Sequence, residues 1–411
     1  MSSSMSRSMA SCTITLKDGK LFVLEMALKE GLAPKKLTIL IMVIIVAGMS
    51  QGMLLPLLTI LLDRSGVSTD ANGLNAAALY IGIFSTMFFI EKPVRRFGYK
   101  PVIMVGMGLV IAANCLFPAW QHIGFWFVLR LMVGVGDSAL HYATQLWIVT
   151  SSPKEHRGRN ITLYGMAYGI GFSLGPVGIT LLKVGIWGPF LTTSSFFIVI
   201  LLLMTRLKNE RPERGERVEA VHKRASKVAA MAWFPLITSL LYGYMEASMN
   251  SNFPLYGLRI GLSEANIGVL LPVMGVGGLI MQLPLGIWSD RIGRKKILIS
   301  SGLIGALAFL CIPFAGTKLW LIGLLFAIAG GMVGSFFSLG LAYAADILPR
   351  HLLPTANVLA SIQYSVGSIA GPLIGGMAIR YSSAASIFYV LSLIYVLFAL
   401  SGLMFRRERA A

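Results

Sequence analysis

Twelve stretches of roughly twenty mostly apolar residues recur along the chain, at about 37–62, 73–90, 100–119, 124–150, 160–182, 187–206, 231–256, 265–288, 296–315, 319–346, 355–380 and 384–405. Short polar segments separate them. About 20 residues at ~1.5 Å rise each cross ~30 Å of hydrocarbon, so each stretch predicts a membrane-spanning helix. An unpaired backbone amide or carbonyl in lipid costs several kcal/mol, which leaves only helices or closed barrels as spanning structures. Segments of about ten alternating residues, the mark of a barrel, are absent. The pattern predicts an all-α membrane protein.

Composition sharpens this picture, because 56% of the residues are hydrophobic and only 13% charged, an apolar excess that no soluble core hides. Glycines fall inside the apolar runs, as at Gly106, Gly108, Gly275, Gly277 and Gly278, where a missing Cβ lets helices approach closely. The net charge of +18 is unevenly placed. With the N-terminus inside, 29 Lys and Arg lie in cytoplasmic segments, against five in outer loops (Arg64, Lys183, Arg259, Lys318 and Arg380) and Arg130 within a span. That bias predicts a multi-pass protein of the cell (plasma) membrane, in a bacterium the inner membrane, with both termini cytoplasmic. The basic residues then face an anionic leaflet, and no motif beside them reads nucleic acid. Cys12, Cys115 and Cys311 form neither a disulfide framework nor a metal spacing; the last two lie in predicted spans and read as packing residues. Residues 1–36 read as a cytoplasmic tail or an interfacial helix, without the apolar core of a secretory signal.

The longest polar stretch, 206–227, carries eight basic and four acidic residues and divides the chain into two halves. The expected organisation is a tail (1–36), a six-helix half (37–206), a cytoplasmic linker (207–230), a second six-helix half (231–405) and a short tail (406–411). Tyr168, Gly171, Gly175 and Pro176 recur as Tyr364, Gly367, Gly371 and Pro372, each 196 positions later; Gly134 and Gly330, and Pro153 and Pro349, keep the same offset. A parallel repeat of six spans follows, the construction of transporters whose substrate lies between two halves.

Three motifs now bear on kinship. Gly286-Ile-Trp-Ser-Asp290-Arg291-Ile-Gly293-Arg294-Lys295 lies between spans eight and nine. Arg130-Leu-Met-Val-Gly134-Val-Gly136 lies in span four, and Gly171-x-x-x-Gly175-Pro176 recurs as Gly367-x-x-x-Gly371-Pro372. Together they resemble the major facilitator superfamily, and the third resembles its drug:proton antiporter-like branch. The resemblance implies twelve helices in two pseudo-symmetric six-helix bundles, with spans one, four, seven and ten lining a central cavity. It also makes Arg130 a candidate for proton transfer. Physically, Gly286 would allow close contact, Asp290 would approach a helix N-terminus, and Arg291, Arg294 and Lys295 would pair with carboxylates or headgroups in one conformation. The equivalent loop of the first half, from Glu91 to Lys100, keeps Gly98 but has Arg95 where the aspartate belongs. The glycine and proline positions also have a plain structural reading, as a packing face with a bend.

A charged group deep in a bilayer costs at least about 2.5 to 3.5 kcal/mol and therefore faces a cavity or a partner. Asp137, about twelve residues into span four, and Glu246, about fourteen into span seven, are the deep acids. Arg130, Gly134, Asp137 and His141 form one helical stripe, and Tyr242, Glu246 and Asn250 another; Gln51 and Gln363 add neutral polar groups. An internal Arg130–Asp137 pair that merely holds the bundle together is the competing structural reading.

No phosphate loop, HExxH or serine elbow is present, so the sequence predicts no enzyme, cofactor or metal. The expected function is secondary active transport, as proton-coupled efflux of small organic, amphiphilic or cationic compounds by alternating access. The expected partners are a small-molecule substrate, protons and the lipid bilayer, and the expected state is a monomer. Proton-coupled nutrient uptake, lipid movement, or a non-transporting membrane sensor with this fold are the alternatives.

Overall fold

The computed structural model describes residues 34–153, 156–212 and 221–405, and all the regular structure among them is helical. We number the spans α1 (Pro34–Arg64), α2 (Thr69–Thr86), α3 (Tyr99–Leu116), α4 (Ile123–Ser151), α5 (Arg157–Leu174), α6 (Trp187–Thr205), α7 (Val221–Arg259) and α8 (Glu264–Ile292). They continue with α9 (Arg294–Cys311), α10 (Leu319–Val333 and Phe336–Ile347, across a break), α11 (Leu353–Tyr381) and α12 (Ser386–Met404). A 3₁₀ segment, Gly175–Val184, extends α5 after Pro176. Readings that fall on residues 1–33, 154–155, 213–220 and 406–411, including three of the four linker acids, lie outside the described residues.

Eleven of the described helices are long and apolar enough to cross a membrane alone. The twelfth, α2, qualifies only with the short helix Glu91–Phe97, from which it is bent by 58°. The expected span 73–90 is thus shifted: the helix runs from Thr69 and ends at Thr86. At that end the Ser85 and Thr86 hydroxyls donate to the carbonyl of Gly82, at 3.1 and 2.8 Å. Side-chain bonds of this kind compete with the helical ladder.

Each half buries its own apolar cluster, and the helix pairs within the halves match. A Cβ built on Gly175 would lie 2.5 Å from the carbonyl oxygen of Met49, and one on Gly371 would lie 2.5 Å from that of Tyr244. Likewise Gly82 meets Leu131 and Gly277 meets Ala327, both at 2.5 Å. The repeat is therefore physical as well as textual: α1 and α2 map onto α7 and α8 with an offset of 195, and α4 and α5 onto α10 and α11 with 196. Close approach also occurs at Gly106, Gly275, Gly277 and Gly278, but a Cβ on Gly108 or Gly286 would meet nothing within 4 Å. At those two glycines the expected close contact is absent. Cys115 is exposed rather than packed, and Cys311 is partly buried.

The two halves meet through α2 with α11, through α5 and its 3₁₀ extension with α8, and through α1 with α7. Hydrogen bonds and ion pairs join them at the membrane face opposite the linker. Arg64 pairs with Glu264, Asp70 with Arg380, and the Thr69 hydroxyl donates to the carbonyl of Gly376 at 2.9 Å. The structure is thus fastened across the far face.

Candidate functional site

Asp137 has fourteen residues of α4 on either side of it, which places it halfway along a helix of 29. Asp137 and Arg130 are both buried, at 2% exposure, and no ion pair joins them. Arg130 Nε and Nη2 and one Asp137 carboxylate oxygen have no hydrogen-bond partner. The internal charge pair entertained from the sequence is absent. Arg130 borders instead a small apolar hollow lined by Leu54, Leu58, Leu79 and Phe117, and Gly134 lets α2 approach there.

One turn beyond Asp137, His141 Nδ1 shares a hydrogen bond of 2.7 Å with the hydroxyl of Tyr164 on α5. The His141 ring also stands edge-on to Tyr168, with centroids 5.0 Å apart, and the Tyr168 hydroxyl donates to Gln51 Oε1 at 2.8 Å. The first half thus carries a connected group drawn from α1, α4 and α5.

In the second half the Tyr364 hydroxyl donates to Glu246 Oε2 at 2.6 Å, and Tyr242 approaches Oε1 at a weaker 3.4 Å. Among the described residues no basic group pairs with this carboxylate. Asn250 lies on the same stripe but spends its amide on the main-chain carbonyl of Glu246, at 2.8 Å. Gln363 is partly buried with an unpartnered carbonyl, while its neighbour Tyr364 makes the polar contact.

The two groups face one another across the boundary between the halves. Tyr80 on α2 is buried and within Coulombic range of Glu246, Arg130 and Asp137, and Tyr168 is within range of Glu246 and Asp137. Residue-type reasoning picked out the charges and missed these tyrosines as contact residues. The available signal was the repeat itself, since Tyr168 and Tyr364 are among its markers.

The loop motif at the linker face has a defined geometry too. Arg294 pairs with Asp290 at 2.9 Å and with Asp346 of α10 at 2.5 Å, so Asp290 meets a cation of its own loop. Gly293 and Gly98 sit at φ +107° and +93°, where a side chain would be strained, which accounts for the glycine kept in both loops. Lys295 donates to the carbonyl of Phe405, just beyond α12, at 2.7 Å, and Lys100 donates to those of Thr205 and Leu207 at the end of α6, at 2.9 and 2.8 Å. Each lysine thereby caps the last helix of its own half. In the first half, however, Tyr99 and Thr150 stand where Arg294 and Asp346 stand in the second, and a hydroxyl contact of 3.1 Å replaces the ion pair.

An acid from the linker enters there instead. Glu210 accepts from Lys36 at 2.6 Å, Trp147 at 2.8 Å and Ser151 at 3.1 Å, beside a cavity of about 820 Å³ that Arg95 and Arg157 also line. Partial burial pushes the Glu210 carboxyl up, but these donors outweigh it and hold the group below the usual glutamate range.

Comparison with known proteins places this architecture. The Major Facilitator Superfamily model matches residues 40–282 and 236–411. The chain belongs to the major facilitator superfamily. It is 38% identical over 358 residues to the uncharacterized MFS-type transporter YfkF of Bacillus subtilis, covering 86% of this chain and 91% of that protein. It is 24% identical over 349 residues to the uncharacterized MFS-type transporter YcaD of Shigella flexneri, covering 82% and 88%. The fold resembles that of the nucleoside transporter NupG, with TM-score 0.74 at 13% identity over 90% of this chain and 98% of that one. It also resembles a D-xylose-proton symporter, with TM-score 0.73 at 15% identity over 92% and 98%. The protein is accordingly a multi-pass MFS-type secondary transporter and not an enzyme.

Proposed function

We propose that this superfamily member is a proton-coupled exporter of small organic cations or amphiphiles, with Glu246 and Asp137 as the groups that exchange a proton for substrate. The observation that carries the reading is Glu246, a buried carboxylate at the boundary of the halves, held by two tyrosine hydroxyls and by no cation. A carboxylate in such surroundings needs a positive partner, and with none among the described residues the partner is a proton or a cation in transit. Asp137, buried and unpaired by Arg130, supports the same reading from the other half. The basic loops support a cytoplasmic linker face, and with that orientation fastening across the far face supports an inward-facing state of an alternating-access cycle. Arg130, His141 and Tyr164 are the proposed neighbours of the proton path, and the Asp290–Arg294–Asp346 group is a proposed gate element.

The test is uptake of tetraphenylphosphonium and ethidium into proteoliposomes with an imposed pH gradient. Asp137→Asn and Glu246→Gln keep approximate shape and remove titration, so both should retain wild-type melting and lose gradient-driven accumulation. Normal accumulation by both amide variants would reject the assignment.

A further inference from the structure

The repeat register carries a consequence for specificity. With α1 mapped onto α7 by 195 positions, Gln51 falls on Glu246; with α4 and α5 mapped by 196, His141 falls on Phe337 and Tyr168 on Tyr364. The side chains repeat the backbone. Tyr168 donates to Gln51 at 2.8 Å, and Tyr364 donates to Glu246 at 2.6 Å. The ring of His141 stands edge-on to Tyr168 at 83°, and that of Phe337 stands edge-on to Tyr364 at 82°. Each half therefore holds one clamp made of an acceptor, a tyrosine and an aromatic ring. The acceptor is neutral in one clamp and acidic in the other.

Around this shared plan the neighbours differ. Tyr242 stacks on Tyr364 beside Glu246, with centroids 6.0 Å apart, whereas its counterpart is Ala47. Asp137 and Tyr164 lie beside the neutral clamp, where the second half has Val333 and Ala360. The Tyr80 hydroxyl of α2, itself without a hydrogen-bond partner, lies within Coulombic range of Glu246, Arg130 and Asp137, and Tyr168 lies within range of Glu246 and Tyr242. The clamps thus face one another across the pseudo-two-fold.

We infer that Gln51 and Glu246 are the two ends of one substrate site, which rests on the reading of Glu246 given above. The Glu246 clamp, with its stacked rings, takes an organic ammonium; the Gln51 clamp takes a neutral hydrogen-bonding group at the other end of the same molecule. The substrate class is an organic cation with a hydroxyl, amide or ester remote from its charge.

The first test needs no substrate, because the clamps' equivalence predicts that the carboxylate can change halves. Protonated-carboxyl bands are followed by infrared difference spectroscopy through a pH titration of full-length protein in liposomes. Glu246→Gln should remove one titrating component; if it does not, the reading of Glu246 itself fails, whatever the second variant does. The double variant Gln51→Glu with Glu246→Gln should restore a titrating component, now in the first half. A double variant that melts like the wild type but restores none overturns the inference.

The second test holds even if the double variant does not fold. Trimethylammonium compounds with a terminal hydroxyl on the alkyl chain are compared with plain alkyl analogues of equal length, as competitors of tetraphenylphosphonium uptake. One recovered hydrogen bond should favour the hydroxyl compound about threefold to tenfold in the wild type, and Gln51→Leu should erase that preference. No preference in the wild type, or one that survives Gln51→Leu, overturns it.

Discussion

Replacing Gly371 by alanine tests whether the small-residue motif sets the spacing of α7 and α11. The added Cβ would stand 2.5 Å from the Tyr244 carbonyl oxygen and 3.0 Å from the Ser248 nitrogen. Ordinary contact begins at 3.4 Å, so the helices must part by the difference, 0.9 Å. Both neighbours are backbone atoms of a packed helix and cannot swing aside. Overpacking of this kind costs about 1 to 3 kcal/mol, against a gain of up to about 1 kcal/mol from alanine's better helix propensity. The middle of the first range less the full gain leaves a net destabilisation of about 1 kcal/mol. The same displacement stretches the 2.6 Å bond from Tyr364 to Glu246, two turns along the same helix pair, so transport should fall as well. Gly286→Ala is the control: its Cβ meets nothing within 4 Å, so only the propensity gain remains and the melting temperature should hold or rise. Thermal unfolding of both variants in detergent, followed by tryptophan fluorescence, reads the contrast. A Gly371→Ala protein that melts at or above the wild type would refute the packing argument, as would a Gly286→Ala protein that melts below it.

Further outcomes follow from the loops. Glu210→Gln should destabilise by about 0.5 kcal/mol at neutral pH, the size of a partly exposed pair. Because the folded carboxyl lies below its ordinary value of 4.5, that contribution is present above 4.5 and lost as pH falls through the lowered value. Wild type and variant should therefore melt alike in acid, and a difference that persists there would reject the assignment. Asp290→Asn should change stability little, since the side chain is 62% exposed, but should slow turnover if the Asp290–Arg294–Asp346 group is remade during the cycle; unchanged turnover would reduce it to a structural turn. Ser65→Cys, exposed at the far face, in a Cys115→Ser background should react with an impermeant thiol reagent from outside intact cells, and reaction only after permeabilisation would reverse the proposed orientation.

Much of the fold was legible because lipid leaves few alternatives: long apolar runs had to be helices, and basic residues had to collect on one side. The second span was misplaced because its helix begins on polar residues, Thr69, Asp70 and Asn72, and breaks within the apolar stretch 87–90, and hydropathy registers neither. Glycine was over-read for a similar reason. Gly286 and Gly371 look alike in sequence, yet only the packed structure shows that one is crowded and the other open. The deep acids could be found because burial makes charge rare. Tyr242 came with Glu246 from helical spacing, but Tyr168 and Tyr364 are ordinary residues until the repeat register sets one against Gln51 and the other against Glu246. The 195-residue offset of α1 and α7 escaped notice because it differs by one from the 196 of α5 and α11, and no identical motif marks it.

The central claim is that substrate and proton move through one site in opposite directions. Its most direct measurement is an entrapped pH dye in tight proteoliposomes during a pulse of a transported cation. Wild-type protein should move protons against the cation, in proportion to its flux, and Glu246→Gln should abolish that coupled movement. Substrate flux at unchanged internal pH in the wild type would contradict the account.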